Sequence, residues 1–180
     1  MSIPQIDWQS KNIIEETKDA YLEWGFAQYT NVWNQQENKI FDDWFNTLRE
    51  WFYTAEDKNK WLSGDKVNHG FVPIAGEVLN PHRKKDYKEQ FVFENQSNIP
   101  DWFKKDLKLT QPLMSETAYN TIKIFEKILD TKNNYLVDKH FKDFQWMRTA
   151  WYPGVEGLDN QISCGEHKDY NTFTLLLSPD

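Results

Sequence analysis

The chain has 180 residues, of which 39% are hydrophobic and 16% aromatic, enough to bury one core in a single domain or most of one. Its 28 Asp and Glu outnumber its 21 Lys and Arg and give a formal charge of −7, which argues against nucleic acid as the main partner, because phosphate binding draws on clustered basic side chains. One cysteine excludes an internal disulfide, no apolar run reaches the roughly 18 residues that span a bilayer, and no basic segment followed by an apolar run opens the chain. We therefore expect a cytoplasmic protein with no membrane partner.

The first two predicted helices lie in the amino-terminal third. Residues 12–23 carry apolar side chains along one side of a helix, and Gly25 is available to end it before an extended stretch over residues 24–29. Apolar and aromatic residues then recur at three- and four-residue steps over residues 34–53, as in an amphipathic helix. We expect this aromatic stripe to be core; the alternative for any one ring is a place in a substrate pocket.

The later segments change from helical to extended patterns. A short helix is predicted after residues 54–57, a loop rich in Gly and Pro over residues 68–80, and a second long helix over residues 115–130 with Ser115 as its amino-terminal cap. The basic run 82–85 is expected to be a solvated loop, the alternative being a patch for an acidic partner. Residues 145–152 and 172–177 are typical of strands, so the order of elements predicts an α+β fold.

The segment from Cys164 to Leu177 contains two side chains that can bind a metal. Residues two apart point to the same side of an extended chain, so His167 and Asp169 can converge on one ion. Two histidines and one carboxylate are the ligands of non-haem Fe(II) oxygenases, and this segment supplies two of the three. A His-x-Asp pair also arises by chance, and the alternative is a surface histidine paired with a carboxylate. A zinc site using Cys164 is not expected, because no second Cys or His pair is present.

The same segment resembles a known family. Residues 167–176, HKDYNTFTLL, are similar to the His-Thr-Asp-Tyr-Gly-x-x-Thr-Leu-Leu segment of 2-oxoglutarate/Fe(II)-dependent dioxygenases, in the branch that resembles isopenicillin N synthase. Upstream, residues 148–153, RTAWYP, resemble the Arg/Asn-x-x-Tyr-Pro strand that precedes this segment in the family by about 15 residues. Four further segments resemble family segments in the same order: residues 3–7, 24–29, 70–77 and 86–91. The resemblance therefore spans nearly the whole chain.

The resemblance implies a fold and a chemistry. The expected frame is a helical amino-terminal region over residues 1–114, followed over 115–180 by a long buttressing helix and the first strands of a truncated double-stranded β-helix, or jelly roll. His167 and Asp169 would bind Fe(II), and Tyr152 would hydrogen-bond the 2-oxoglutarate cosubstrate, the alternative being a packed strand tyrosine. The resemblance is also compatible with ascorbate as a cofactor. O2 and a small molecule would be the substrates, with hydroxylation, desaturation or ring closure as the outcome.

Two parts of the family pattern are not found in this sequence. The second histidine ligand and the Arg-x-Ser pair that holds the oxoacid follow the aspartate at a distance in the family, whereas 11 residues follow Asp169 here. His69, His82 and His140 are expected to be solvated or capping residues. Three interpretations stay open: an oxygenase completed by a second polypeptide or cut short in its gene model, a non-catalytic remnant that binds a partner through its exposed sheet edge, and a module that binds metal through two ligands alone.

Overall fold

The computed structural model describes residues 2–63, 69–93, 99–140, 147–154, 161–169 and 172–177. Its elements in chain order are β1 (Gln5–Asp7), α1 (Ile13–Glu23), β2 (Gln28–Thr30), α2 (Gln35–Thr54), a 3₁₀ turn (Lys58–Trp61), β3 (Gly70–Val72), β4 (Glu89–Phe93), α3 (Asp101–Ile128), α4 (Val137–His140) and β5 (Met147–Trp151). The mixture of helix and sheet confirms the predicted class in its general form. The elements form two compact units, the first Met1–Asp42 with Leu109–Gln145 and the second Asp43–Lys108 with Trp146–Asp180.

The first unit pairs a short parallel sheet with helices. β1 and β2 align Ile6 with Tyr29, and the Ile6 side chain is buried. The α1 helix confirms the prediction for residues 12–23, with Asn12 at its amino-terminal cap position. It ends where Gly25 donates its N–H to the Tyr21 carbonyl at 3.1 Å and takes a φ of +76°, a left-handed conformation that glycine adopts without strain.

The α2 helix begins at a reciprocal cap. The Asn34 side-chain oxygen accepts the N–H of Gln36 at 2.9 Å and of Glu37 at 3.0 Å, while the Glu37 carboxylate accepts the N–H of Asn34 at 2.8 Å. This arrangement satisfies N–H groups that have no partner inside the helix. The apolar stripe is buried, as predicted, at Phe41, Trp44, Leu48, Trp51 and Phe52.

The α3 helix is longer than its sequence pattern predicts. It starts at Asp101 and not at Ser115, so that part of the prediction is wrong. Pro112 lies inside the helix, where it removes one backbone hydrogen bond and would normally signal a boundary. The side chains of Leu107 and Phe103, which precede it, are completely buried. Packing of these residues outweighs the local cost of the proline.

The second unit holds a three-stranded antiparallel sheet in the order β3-β4-β5. Phe91 on the central strand pairs with Phe71 on one side and Thr149 on the other. The rings of Phe71, Phe91 and Phe103 surround Trp51, with centroids 5.0 to 5.7 Å away in edge-to-face arrangements. The full set of buried residues in this core is Trp44, Leu48, Trp51, Phe52, Phe71, Phe91, Phe93, Ile99, Phe103 and Leu107.

The predicted strands agree only in part. β5 confirms the prediction for residues 145–152, although residues 145 and 146 lie outside the described residues. β3 lies within the stretch predicted as a loop, residues 68–80. The prediction of a strand at 172–177 is wrong, because none of the strands that the structure describes aligns with these residues to form a ladder.

Among the helices that the structure describes, none combines the length and the hydropathy needed to cross a bilayer.

Candidate functional site

The two predicted metal ligands come together in the second unit. The His167 Nε2 atom lies 3.1 Å from Asp169 Oδ1, as the two-residue spacing predicts, although the backbone there is not a regular strand. Their side chains are 33% and 52% exposed, so both reach solvent. The second oxygen of Asp169 accepts a hydrogen bond from the Thr174 hydroxyl at 2.6 Å. That bond leaves Oδ1 as the carboxylate oxygen that faces the imidazole.

The orientation of the His167 ring is set by the backbone of Gly165. Nδ1 lies 2.8 Å from the Gly165 carbonyl oxygen, and because a carbonyl only accepts, Nδ1 carries the proton of this hydrogen bond. In the neutral ring, Nε2 is then an acceptor that faces another acceptor, Asp169 Oδ1. Two acceptors at this distance are stabilised by a cation between them, either a proton or a metal ion.

The Gly165 peptide is itself held by a hydrogen bond to the Asp86 carboxylate. The N–H of Gly165 donates to Asp86 Oδ1 at 3.0 Å, and both residues are buried. A Cβ built at Gly165 would lie 3.0 Å from the Asn80 Cβ and 3.4 Å from Asp86 Oδ1. The close approach of these chains therefore favours glycine at this position.

Asp86 belongs to a buried network of charges. The Lys88 ammonium, whose side chain is 4% exposed, lies 3.2 Å from Asp86 Oδ2 and 2.9 Å from Glu77 Oε2. Glu77 also accepts a hydrogen bond from the Gln90 amide at 3.0 Å and lies 3.6 Å from the Arg148 guanidinium. Two carboxylates and two cations thus balance one another, which is the condition under which charges are tolerated in an interior.

The network shifts the ionisation of two of its members. Burial alone would raise the pKa of Glu77, but the hydrogen bond and charge of Lys88, with Arg148 and Gln90, hold the pKa below its usual value. Burial alone would lower the pKa of Lys88, but Glu77, Asp86 and Cys164 raise it above its usual value. Both residues are therefore ionised at neutral pH.

An open cleft borders the His167 segment. It has a volume of about 560 Å³ and is lined by Arg83, Ile162, Cys164, Gly165, Glu166 and His167. Two hydrogen bonds hold the neighbouring segments: the Asn80 amide donates to Glu166 Oε1 at 3.2 Å, and the Gln161 amide donates to the Lys85 carbonyl at 2.8 Å. The basic run 82–85 is accordingly part of the wall beside the candidate site as well as an exposed loop.

Tyr152 follows β5 and is 50% exposed. Burial raises the pKa of its hydroxyl, and the charges of Lys88 and Arg148 partly oppose this rise. No hydrogen bond joins Tyr152 to His167 or Asp169 in the described part of the chain, so its predicted role toward a cosubstrate stays a prediction.

The remaining histidines do not add a third ligand. The His140 Nδ1 atom contacts the Leu136 carbonyl oxygen at 2.7 Å in the first unit, and the backbone N–H of His82 donates to Asn80. Among the described residues, no group of three or more His, Cys, Asp or Glu side chains is arranged to hold a metal ion. Cys164 is a free cysteine whose sulfur lies 3.8 Å from the Lys88 ammonium.

The sequence pattern predicted no role for the buried polar residues next to Gly165 and His167. Asp86, Lys88 and Gln90 alternate along the chain with a period of two and are all buried, while Phe91 and Phe93 face the aromatic core. Three polar residues at alternate positions leading into a strand with buried rings were the available signal. Their partner Glu77 lies outside this alternating run, and Gly165 is 79 positions from Asp86, so the pattern alone could not identify either partner.

Comparison with known proteins places these features in context. The chain matches no family model. It is 24% identical to Diox4 and 25% identical to Diox1 of Ruta graveolens, each a bi-functional coumaroyl CoA and feruloyl CoA ortho-hydroxylase. The matches cover 99% and 98% of this chain but 52% and 50% of the relatives. The chain thus spans about half the length of the curated relatives it matches.

Two solved structures share its fold. A full-length protein of Neurospora crassa, solved in complex with alpha-KG, superposes with a TM-score of 0.65 at 16% identity, covering 93% of this chain and 61% of that one. A protein of Shewanella oneidensis assigned as an oxygenase superposes with a TM-score of 0.62 at 17% identity, covering 88% and 57%. The chain therefore has the fold of part of these structures, and its sequence is distantly related to that of ortho-hydroxylases.

Proposed function

We propose that this chain is the metal-ligating part of a non-haem Fe(II)- and 2-oxoglutarate-dependent dioxygenase of the isopenicillin N synthase-like branch. The observation that carries the proposal is the pair formed by His167 Nε2 and Asp169 Oδ1, 3.1 Å apart, with the imidazole oriented by the Gly165 carbonyl. The relatedness to hydroxylases and the fold shared with an oxygenase and an alpha-KG complex support the same chemistry. In this proposal, α3 (Asp101–Ile128) is the long helix that supports a jelly roll, and β5 (Met147–Trp151) is one of the strands of that jelly roll.

The two donors, the His167 imidazole nitrogen and the Asp169 carboxylate oxygen, fit Fe(II). Imidazole nitrogen and carboxylate oxygen bind first-row metals at about 2.1 Å, so two such ligands at a right angle lie roughly 3.0 Å apart. The observed separation of 3.1 Å agrees with that value. An ion pair would give the same separation, but the hydrogen bond from Nδ1 to a backbone carbonyl is the outer contact that metal-ligating histidines usually make.

Each residue of the site has a part in this proposal. His167 and Asp169 hold the metal, the Thr174 hydroxyl fixes the Asp169 carboxylate, and Tyr152 hydrogen-bonds the cosubstrate. When bound, Fe(II) and 2-oxoglutarate supply the redox chemistry by which O2 hydroxylates, desaturates or cyclises a substrate. The adjoining cleft, about 560 Å³ in volume, is of a size to take a small molecule.

Metal binding tests the site directly. We expect the chain to bind Co(II), a spectroscopic substitute for Fe(II), and the variants His167→Ala and Asp169→Ala each to weaken binding at least tenfold, because each removes one of two ligands. The measurement is titration followed by the visible absorption of Co(II). His82→Ala, which removes an exposed histidine of the basic run, is the matched control and should bind as the parent does. Equal binding by the parent and His167→Ala would show that the metal binds elsewhere.

Turnover tests the reaction class. Since the described residues provide two ligands, we expect little succinate release from the isolated chain supplied with 2-oxoglutarate, Fe(II), ascorbate and O2. A polypeptide that carries a histidine ligand and an Arg-x-Ser pair should restore succinate release when combined with this chain. Restoration that persists with Asp169→Ala would contradict the assignment.

A second candidate function is a non-catalytic subunit that binds a polypeptide partner through an exposed strand edge. Residues 172–177 favour it: they alternate between exposed and partly buried side chains, as in an extended strand, and Leu176 is 91% exposed. An extended segment that presents an apolar side chain to solvent can accept a strand from another chain. A partner that binds while Co(II) does not would support this candidate over the first.

A further inference from the structure

We propose that Asp86 is a positioning residue for His167: its carboxylate holds the Gly165 peptide, whose carbonyl in turn fixes the tautomer of the imidazole. The inference rests on the proposed function in naming a metal as the reason for this tautomer, but the positioning itself concerns residues of the chain alone. Asp86 lies far from His167 in the sequence, and its effect on the ring would pass through a single glycine.

The first step is the contact between Asp86 and Gly165. Asp86 is 1% exposed, and its Oδ1 accepts the Gly165 N–H at 3.0 Å. A buried carboxylate bonded to a buried N–H is a strong contact, because water does not compete for either group. A Cβ at Gly165 would lie 3.2 Å from the Asn80 backbone nitrogen, so the two segments lie close together at this glycine.

The second step is the anchoring of Asp86 itself. Its N–H donates to the Glu77 carbonyl at 3.2 Å, and its carbonyl accepts the Ala75 N–H at 3.1 Å, so the backbone is held on both sides. The Lys88 ammonium lies 3.2 Å from Oδ2, and its attraction holds the carboxylate in place. Asp86 is thus held in place as the hydrogen-bond acceptor of the Gly165 N–H, so it can support the segment that carries His167.

The third step leads from Gly165 to the ring. The same residue whose N–H is held by Asp86 offers its carbonyl to His167 Nδ1 at 2.8 Å. A neutral imidazole exchanges its proton between both nitrogens. The Gly165 carbonyl favours the form with the proton on Nδ1, whereas Asp169 Oδ1, 3.1 Å from Nε2, competes for that proton unless a cation lies between the two groups. That form leaves Nε2 able to bind a cation beside Asp169. If Asp86 is removed, Gly165 loses its anchor and the selection weakens.

A purely structural role predicts something different. Were Asp86 only a partner of Lys88, then removing the other carboxylate of the network would disturb His167 equally. Glu77→Gln provides this control, because Glu77 binds Lys88 and Arg148 but makes no described contact with Gly165. The two variants therefore separate positioning from general stabilisation.

The experiment is ¹⁵N NMR of the metal-free chain labelled at its four histidines, in an Asp169→Ala background that removes the competing carboxylate, at a pH of about 8.5, where an ordinary histidine is neutral. His167→Gln assigns the ring signals. In this background alone, and with Glu77→Gln added, we expect the His167 shifts of the form protonated on Nδ1. In Asp86→Ala we expect averaged shifts of both tautomers and amide exchange at Gly165 faster by roughly tenfold or more.

Unchanged ring shifts in a folded Asp86→Ala variant would overturn the proposal. Should that variant fail to fold, Asp86→Asn decides, because its neutral oxygen accepts a weaker hydrogen bond: faster Gly165 exchange and partly averaged shifts are expected, and parent-like values of both overturn it. Co(II) titration keeps this inference apart from the proposed function. Averaged ring shifts in Asp86→Ala, together with no Co(II) binding by the parent, would refute the proposed function alone. Parent-like ring shifts in Asp86→Ala, together with Co(II) binding that the parent shows and His167→Ala loses, would refute the positioning alone.

Discussion

At the scale of single residues, Glu126 on α3 shows how one carboxylate can organise a chain reversal. It is 3% exposed and accepts backbone N–H groups from Asn134, Leu136 and Val137, at 2.8 to 3.2 Å, as well as a hydrogen bond from the Lys123 ammonium. Burial alone would raise the pKa of Glu126, but Lys123 and the three N–H groups lower it to about 2. The turn after α3 therefore depends on a charged oxygen pair.

The lowered pKa of Glu126 makes the stability of the chain depend on pH. A carboxyl whose pKa is about 2 when folded and near 4.5 when unfolded contributes stability that is complete above about 4.5 and is lost as the pH falls toward 2. We expect Glu126→Gln to have a lower urea midpoint than the parent at pH 7, with the difference shrinking in that acidic window. Glu116→Gln, an exposed position on the same helix, is the control and should follow the parent. A constant difference at every pH would contradict this account.

The residues of the candidate site differ in how far the sequence predicts them. His167 and Asp169 are two residues apart, so the geometry of an extended chain is enough to bring their side chains together. The bond from Gly165 to Asp86 joins residues 79 positions apart, and it depends on the path of the intervening chain. A local period can therefore find the ligands, whereas their support requires the fold.

At the scale of elements, the second unit is built by packing α2 against the antiparallel sheet. Trp51 on α2 is fully buried, and its ring meets those of Phe52, Phe71, Phe91 and Phe103 within 5.7 Å. Aromatic side chains contribute through both their buried area and their edge-to-face geometry. This packing also fixes β4, the strand that Lys88 and Gln90 lead into from the charged network.

Truncating this ring tests the arrangement. We expect Trp51→Ala to destabilise the chain by about 3–5 kcal/mol, because it leaves a cavity that four rings line. The measurement is equilibrium urea unfolding followed by circular dichroism. Trp102→Ala is the matched control: Trp102 is 45% exposed on α3, and its truncation should change stability by roughly 0.5 kcal/mol or less. Similar losses for both variants would mean that the core is placed elsewhere.

The sequence predicts elements where the local pattern is unambiguous. The stripe of α2 and the glycine after α1 act within one element, so periodicity and glycine chemistry locate both helices. The start of α3 was missed because Pro112 and Ser115 resemble a boundary, while burial of Phe103 and Leu107 extends the helix to Asp101. The three residues of β3 form a strand because β4 pairs with them, and that information is not local.

At the scale of the whole molecule, residues 172–177 have the composition of a β-strand but do not pair with a described sheet. Their β-branched and apolar side chains are typical of a strand, yet they join neither of the described sheets, and Leu176 is 91% exposed. An extended segment that pairs with neither described sheet and exposes a leucine side chain can associate with another chain. We therefore expect the chain expressed alone to be marginally stable and to self-associate.

Substitution at the exposed leucine tests this expectation. Leu176→Lys places a charge on this segment and should shift sedimentation-velocity profiles toward the monomer at concentrations where the parent associates, because charged side chains block strand addition. Leu22→Lys is the matched control: Leu22 is 77% exposed on α1, and a charge there should leave association unchanged. If a second polypeptide completes the sheet, adding it should suppress self-association of the parent and bind Leu176→Lys more weakly. A parent that stays monomeric with a sharp, cooperative melt would show instead that this segment needs no partner.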